Sequence, residues 1–261
     1  MFIPLHDFNS LKHIRLQWVT WSLIAVNLAI WGLTGLAGEE SEFTTAAVLG
    51  LGYIPAVSNG LAYLDPLDVL VPDNFTYLTY AFVHGNFFHV ASNMLFLWVF
   101  GDNVEDALGH VRFLIFYLAC AAAGAFVHGL LLPHSQAPLI GASGAVAGIV
   151  AAYLILHPRI RIWVLILGRI PLPLPAYIPL LLWVGFQFVM LLADPEGEVS
   201  WATHAGGILA GGLLVVVMRR RGVPLFDRVI ESPRAVVHKS ADPAVAAKSG
   251  PDAPPPVHWG R

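Results

Sequence analysis

The residues in this chain that could do chemistry are one serine, a few histidines and one asparagine, all set in apolar surroundings. Ser143 stands between Gly141 and Gly144 in Leu139 to Ala151, LIGASGAVAGIVA. A hydroxyl there has little water to bond to and needs a partner. His89 and Asn93 are four residues apart in HGNFFHVASNMLFLWVFG, which puts them on one face of a helix. His204 opens a third such run, HAGGILAGGLLVVVM. A serine hydroxyl is a poor nucleophile until a base takes its proton, and histidine, titrating near neutrality, suits that task. Ser143 and His204 therefore pair as nucleophile and general base. His89, Asn93 and the backbone N–H of Ser143 can donate to the oxyanion that forms when Ser143 attacks a carbonyl.

Plainer readings stand beside this one. Ser143 taken alone could be a helix-packing serine, since small residues line helix interfaces in membranes. It is not a hydrolase nucleophile elbow, because Ala145 stands where G-x-S-x-G needs its second glycine. His84, His89, His128 and His204 could bind a metal, but HExxH and intramembrane carboxylates are lacking, so neither metal nor cofactor is expected. His128 reads as a hydrogen-bonded packing residue, and His110, His134 and His157 as solvated residues at helix ends. The single cysteine, Cys120, excludes an intramolecular disulfide and reads as packing. Arg219 to Arg221 read as a stop signal, with no nucleic-acid partner implied.

The elements that must position these groups follow from hydropathy. Of 261 residues, 57% are hydrophobic and 12% charged, against about 25% charged in soluble domains. The fold class expected is an all-α polytopic membrane protein, a bundle of six transmembrane helices. The spans run about 18–37, 84–101, 111–132, 139–157, 172–192 and 199–218. The first exceeds a signal-peptide core and no A-x-A site follows it, so it is expected to be retained. The domain reading is a cytoplasmic segment 1–17, a membrane domain 18–221 and a disordered cytoplasmic tail 222–261. Residues 38–83 form a long acidic outer loop resting on the bilayer, and 102–110, DNVEDALGH, a short connection. Residues 158–171 read as an interfacial segment, and the fifth span, with Pro173, Pro175, Pro179 and Gly185, as a deformable helix. The Trp and Tyr residues read mostly as interfacial anchors.

Charge bias orients the bundle. With six spans and the N-terminus inside, all 14 Lys and Arg residues fall on the cytoplasmic side, and both termini are cytoplasmic. The second, fourth and sixth spans then all run inward from the outer face. Each carries its polar residues near its start, so His89, Asn93, Ser143 and His204 share one depth. Gly144 and Gly148, and Gly207 and Gly211, form GxxxG pairs that let the fourth and sixth spans approach closely, and Gly141 reads with them as a helix-packing glycine.

These motifs resemble those of the rhomboid intramembrane serine proteases over spans two to six. GASG at 141–144 is similar to that family's GxSG, His204-Ala-Gly-Gly207 to its HxxG, His89-Val-Ala-Ser-Asn93 to its HxxxN, and Gly101 to Gly109 to its GxxxExxxG. The resemblance implies a Ser143–His204 dyad without a third acid, acting through an acyl-enzyme, and an oxyanion hole of His89, Asn93 and the Ser143 backbone. Its substrates would be transmembrane helices of membrane proteins, cut near the outer face after entering from the lipid beside span five. It makes Glu105 a structural residue bonding the connecting loop, and His84 the match for a second histidine of span two. The expected location is the inner (plasma) membrane of a bacterium. A non-catalytic, rhomboid-like protein that binds membrane helices is the alternative. Two departures stand out. Ala147 occupies the place of an aromatic ring that stacks on the catalytic histidine, and the Trp-Arg pair of the first long loop is absent.

Overall fold

The computed structural model describes residues 2–38, 41–166, 168–195, 197 and 199–227. A strand, β1 (Phe2–Asp7), precedes helix α1 (Trp18–Ala37). Short helices α2 (Glu42–Leu51), α3 (Pro55–Ser58) and α4 (Asp73–Thr79) and a 3-10 turn (Tyr80–Phe82) follow. Then come α5 (Phe87–Leu108), α6 (His110–Leu131), α7 (Ser143–Leu156), strands β2 (Arg161–Ile166) and β3 (Ile170–Pro175), α8 (Tyr177–Ala193) and α9 (Trp201–Met218). Three of these helices, α1, α6 and α9, are long and apolar enough to cross a bilayer.

The protein is mostly helical, not all-α. The expected interfacial segment is a hairpin, and β1 joins it to make an antiparallel sheet ordered β1-β2-β3. In β2, Ile162 and Val164 are buried between more exposed neighbours, the period of a strand. Pro171, Pro173 and Pro175 alternate along β3, an edge strand, where a missing N–H on the outward side costs no ladder bond. They belong to the sheet, so the fifth apolar helix starts at Tyr177 and not near Leu172.

The expected connection at 102–110 is helix almost to its end. α5 runs to Leu108, and Gly109, at φ +85°, alone turns the chain into α6. A Cβ on Gly109 would also press on the Arg220 guanidinium, 2.7 Å from Nη2. The acids of this helix end are buried because they receive the start of the chain. Asp106 accepts from the N–H groups of Lys12, His13 and Ile14 at 3.0, 2.6 and 2.7 Å. Glu105, fully buried, accepts from the N–H groups of Val19 and Thr20 at 3.1 and 2.8 Å and from the Thr20 hydroxyl at 2.6 Å. Those N–H groups open α1 and have no partner within it. Glu105 thus caps α1 across the bundle, in place of the connecting loop expected, and it also pairs with His110.

Helix α7 is buried on nearly every side, as an apolar helix without a polar face should be. Its glycines admit α9: a Cβ on Gly207 would collide with the Gly144 carbonyl, and one on Gly211 with the Gly148 carbonyl. Gly148 also lies against Cys120 of α6, and Gly206 against the Ala123 carbonyl and Gly124 of α6. In lipid, where apolar surface gains nothing by leaving water, such backbone-to-backbone packing is what joins helices.

The end of α7 away from Ser143 is tied to β1. Tyr153 donates to Asp7 Oδ2 at 2.8 Å and Asn103 Nδ2 donates to the same oxygen at 2.9 Å. Burial and the neighbouring Asp102 carboxylate push the Asp7 carboxyl up to about 7. Residues 226 and 227, expected in the tail, pack back on α7 through bonds from their N–H groups to Ile155 and Leu156. The rest of that tail lies outside the described residues. Tyr53, Tyr80, Tyr117 and Tyr153 are fully buried core residues and not interfacial anchors. His110 and His157 are likewise engaged, by Glu105 and beside Asp227, where solvated residues were expected.

Candidate active site

Ser143 is the first residue of α7, and the chain just before it is held from three sides. Leu139 pairs with Tyr53 through two backbone bonds of 3.0 and 2.8 Å. The N–H of Gly141 donates to the Tyr80 carbonyl at 2.9 Å, and that of Ala142 to His84 Nε2 at 3.3 Å. Residues 139, 141 and 142 are therefore held by the long loop and by His84 just beyond it, and the helix begins four residues later than the hydropathy of the fourth span suggests. Through these bonds Tyr53 and Tyr80 of the long loop fix the chain that leads into the serine.

Gly141 lies outside α7, so it is not a helix-packing glycine as expected. Its φ is +111°, a conformation open to glycine, and a Cβ there would strike the His89 ring, 2.6 Å from Cε1. The His89 imidazole thus lies over the turn into Ser143. No side chain caps α7, so the first-turn N–H groups, that of Ser143 among them, keep their donors for another acceptor.

His89 is the third residue of α5. Asn86 caps that helix, its side chain accepting from the His89 N–H at 2.9 Å. The rings of His84 and His89 meet edge to face at 5.0 Å. Asn93 is buried one turn further in, and its Nδ2 donates to the His89 carbonyl at 3.0 Å.

His204 is the fourth residue of α9, whose start is capped by Ser200 accepting from the Thr203 N–H at 3.3 Å. Ser200 also bonds His128 Nδ1 at 2.7 Å, the packing role expected of that histidine. The contact between Gly144 and Gly207 lies one residue beyond Ser143 and three beyond His204. Among the described residues no hydrogen bond joins the Ser143 hydroxyl to His204; in the absence of substrate such bonds are often long and tighten when the reacting group is seated.

What holds the imidazole was the gap in the sequence reading, and α8 fills it. Ala147 is fully buried and packs with Ala151, Ile208 and Trp183. Trp183 stacks on His204 at 6.2 Å with 28° between the rings, and Trp201 meets it edge-on at 5.9 Å. The Nδ1 of His204 lies 2.7 Å from Gln187 Oε1. Neither Trp183 nor Gln187 was singled out from the sequence. The available signal was a lone amide in an otherwise apolar helix, four residues beyond a tryptophan.

Three helix starts, of α5, α7 and α9, thus converge on Ser143. They bring a hydroxyl, a buried imidazole, a second imidazole, an amide and free backbone donors to one place, the parts needed for acyl transfer. A rhomboid domain model matches residues 72–221, more than half of the chain and all of this site. The chain is 33% identical over 138 residues to rhomboid protein 1, mitochondrial, of Saccharomyces cerevisiae, covering 51% of this chain and 38% of that protein. It is 27% identical over 163 residues to RHOMBOID-like protein 12, mitochondrial, of Arabidopsis thaliana, covering 56% and 46%. To the rhomboid protease GluP of Bacillus subtilis it is 26% identical over 194 residues, 74% of this chain and 33% of that one. The chain spans less than half the length of each of these relatives.

Proposed function

This chain belongs to the rhomboid family of integral membrane proteins, and on that premise we propose that it is an intramembrane serine endopeptidase with Ser143 as nucleophile and His204 as general base. The observation that carries the reading is the Gly144–Gly207 backbone contact, which brings the start of α7 against the start of α9. In this reading Ser143 Oγ attacks the scissile carbonyl carbon and its proton passes to His204 Nε2. His89, Asn93 and the Ser143 N–H receive the oxyanion. The proton then goes to the leaving amine, and the acyl-enzyme is hydrolysed by a water whose proton returns through His204 to Ser143.

The substrates in this reading are transmembrane helices. A helix hides its scissile bond in its own hydrogen bonding, so targets carry glycine, proline or other weak helix formers near the cut. The proposed topology has six spans, with the helix starts that bear the site on the outer side and both termini on the Arg-rich inner side. Entry is from the lipid beside α8, a helix that leaves Leu181, Leu182, Phe186 and Val189 exposed. The bilayer in this reading is a bacterial inner (plasma) membrane; the Bacillus protein matches along most of this chain, while the Saccharomyces and Arabidopsis relatives are named mitochondrial.

The test is cleavage of a labelled single-span substrate by the purified protein in detergent, beside Ser143→Ala and His204→Ala, with labelling of Ser143 by a fluorophosphonate as a substrate-independent measure. Both variants are expected to lose cleavage, and Ser143→Ala to lose labelling. Undiminished cleavage by Ser143→Ala would refute the dyad. Binding of membrane helices without cleavage or labelling by any form would favour the non-catalytic alternative.

A further inference from the structure

We propose that Gln187 of α8 is the positioning residue of the catalytic base, holding His204 through Nδ1 where serine hydrolases of other folds use a carboxylate. The proposal rests on the reading of Ser143 and His204 as a dyad. Its first support is direction. Gln187 Nε2 donates to the Trp183 carbonyl at 2.9 Å, which turns Oε1 toward His204 Nδ1 at 2.7 Å. An amide oxygen only accepts, so Nδ1 carries the hydrogen and Nε2 is left with the lone pair. That is the tautomer a base facing Ser143 requires.

The second support is position. Helix α8 is the least buried of the helices around the site, and it buries three residues: Pro179, Leu180 and Gln187. Placing its lone amide inward, against an imidazole that is itself buried, makes sense if the amide has a partner there to orient. Trp183, one turn earlier on the same face, stacks on the ring that Gln187 bonds. The two contacts restrain the imidazole in different ways, one against tilting and one against rotation about its own axis.

The third support is charge. When the Ser143 proton reaches Nε2 the ring becomes cationic, and the Gln187 carbonyl dipole already points at its Nδ1–H. A neutral amide gives this support without placing a second charge in an apolar helix, where an ionised carboxylate would be costly. Because the acceptor rides on α8, the base is set only while α8 is seated against α9, so substrate entry beside α8 and readiness of the base are linked.

The experiment compares Gln187→Leu, Gln187→Met and Gln187→Glu with the parent protein in detergent. It reads the fluorophosphonate labelling rate of Ser143, kcat and KM for a single-span substrate, and the apparent Tm. Leucine fills the space without an acceptor and methionine with only a weak thioether acceptor, so a merely structural role predicts unchanged chemistry and an equal or higher Tm. We expect labelling and kcat to fall by about 10–10²-fold in both, from loss of orientation, with KM little changed. Gln187→Glu keeps an acceptor oxygen and is expected to label faster than either. Should leucine not be accommodated, methionine carries the test. Parent protein labelled normally alongside leucine and methionine variants labelled at the same rate would overturn the role of Gln187 alone. Parent protein labelled no faster than Ser143→Ala would remove the dyad, and this proposal with it.

Discussion

Replacing Gly207 with alanine should abolish most of the activity through a displacement of about one ångström. The added Cβ would fall 2.8 Å from the carbonyl carbon of Gly144 and 3.2 Å from its Cα, closer still to the oxygen. Non-bonded carbons rest about 3.5–4.0 Å apart, so α9 must back away from α7 by roughly the difference. Overpacking of this kind costs about 1–3 kcal/mol, and alanine's better helix propensity returns about 1 kcal/mol of it. The fold should therefore survive with a modestly lower apparent Tm. Activity is more sensitive, since Ser143 and His204 sit on the two helices that part, and a misplacement of ~1 Å costs about 10²-fold. Gly212→Ala is the control. It lies on the same helix, but its Cβ meets only Ile155 Cδ1 at an ordinary 3.5 Å, so activity should be unchanged and Tm equal or higher. Cleavage of a single-span substrate in detergent, with thermal unfolding of the same samples, reads both. Normal kcat in Gly207→Ala would refute the claim that this contact sets the spacing of serine and histidine.

Two further outcomes follow from the far end of the bundle. Glu105→Ala strands the N–H groups of Val19 and Thr20 in a fully buried place, at roughly 1–3 kcal/mol each. The apparent Tm should drop by several degrees, with Glu105→Gln intermediate, and an unchanged Tm in the alanine variant would show that α1 does not depend on this cap. Asp7, with its carboxyl at about 7 against 3.8 in an unfolded chain, binds an extra proton when folded between those values. The stability it contributes is full below about pH 4 and is lost as pH rises through 7, on the order of a few kcal/mol in all. Thermal unfolding at pH 5 and pH 8 should show a smaller fall for Asp7→Asn than for the parent; parallel falls would mean that Asp7 is not what titrates.

Much of this was legible in the chain itself. The bounds of α1 coincide with the uncharged run Trp18 to Ala37, because charge and hydropathy change sharply at both ends. Ser143, His89, Asn93 and His204 stood out because polar groups in apolar runs are costly without a use, and the charge bias put their helix starts at one end. The hairpin was not legible: prolines in 171–175 argue against a helix interior, but only pairing with β2 makes an edge strand of them. Glu105 could be recognised as structural, yet its partner lies 85 residues away in sequence.

The sequence by itself therefore determined which groups are available, roughly where the apolar helices run, and that three helix starts carry the polar residues. These depend on composition and period, which are local. Only the tertiary structure decided that α7 begins at Ser143 after an extended segment held by Tyr53 and Tyr80, that Gly141 makes room for His89, and that Gln187 and Trp183 hold His204 where Ala147 leaves space. Each of those is a contact between segments far apart in the chain, and no local pattern records which distant side chain will fill a given gap.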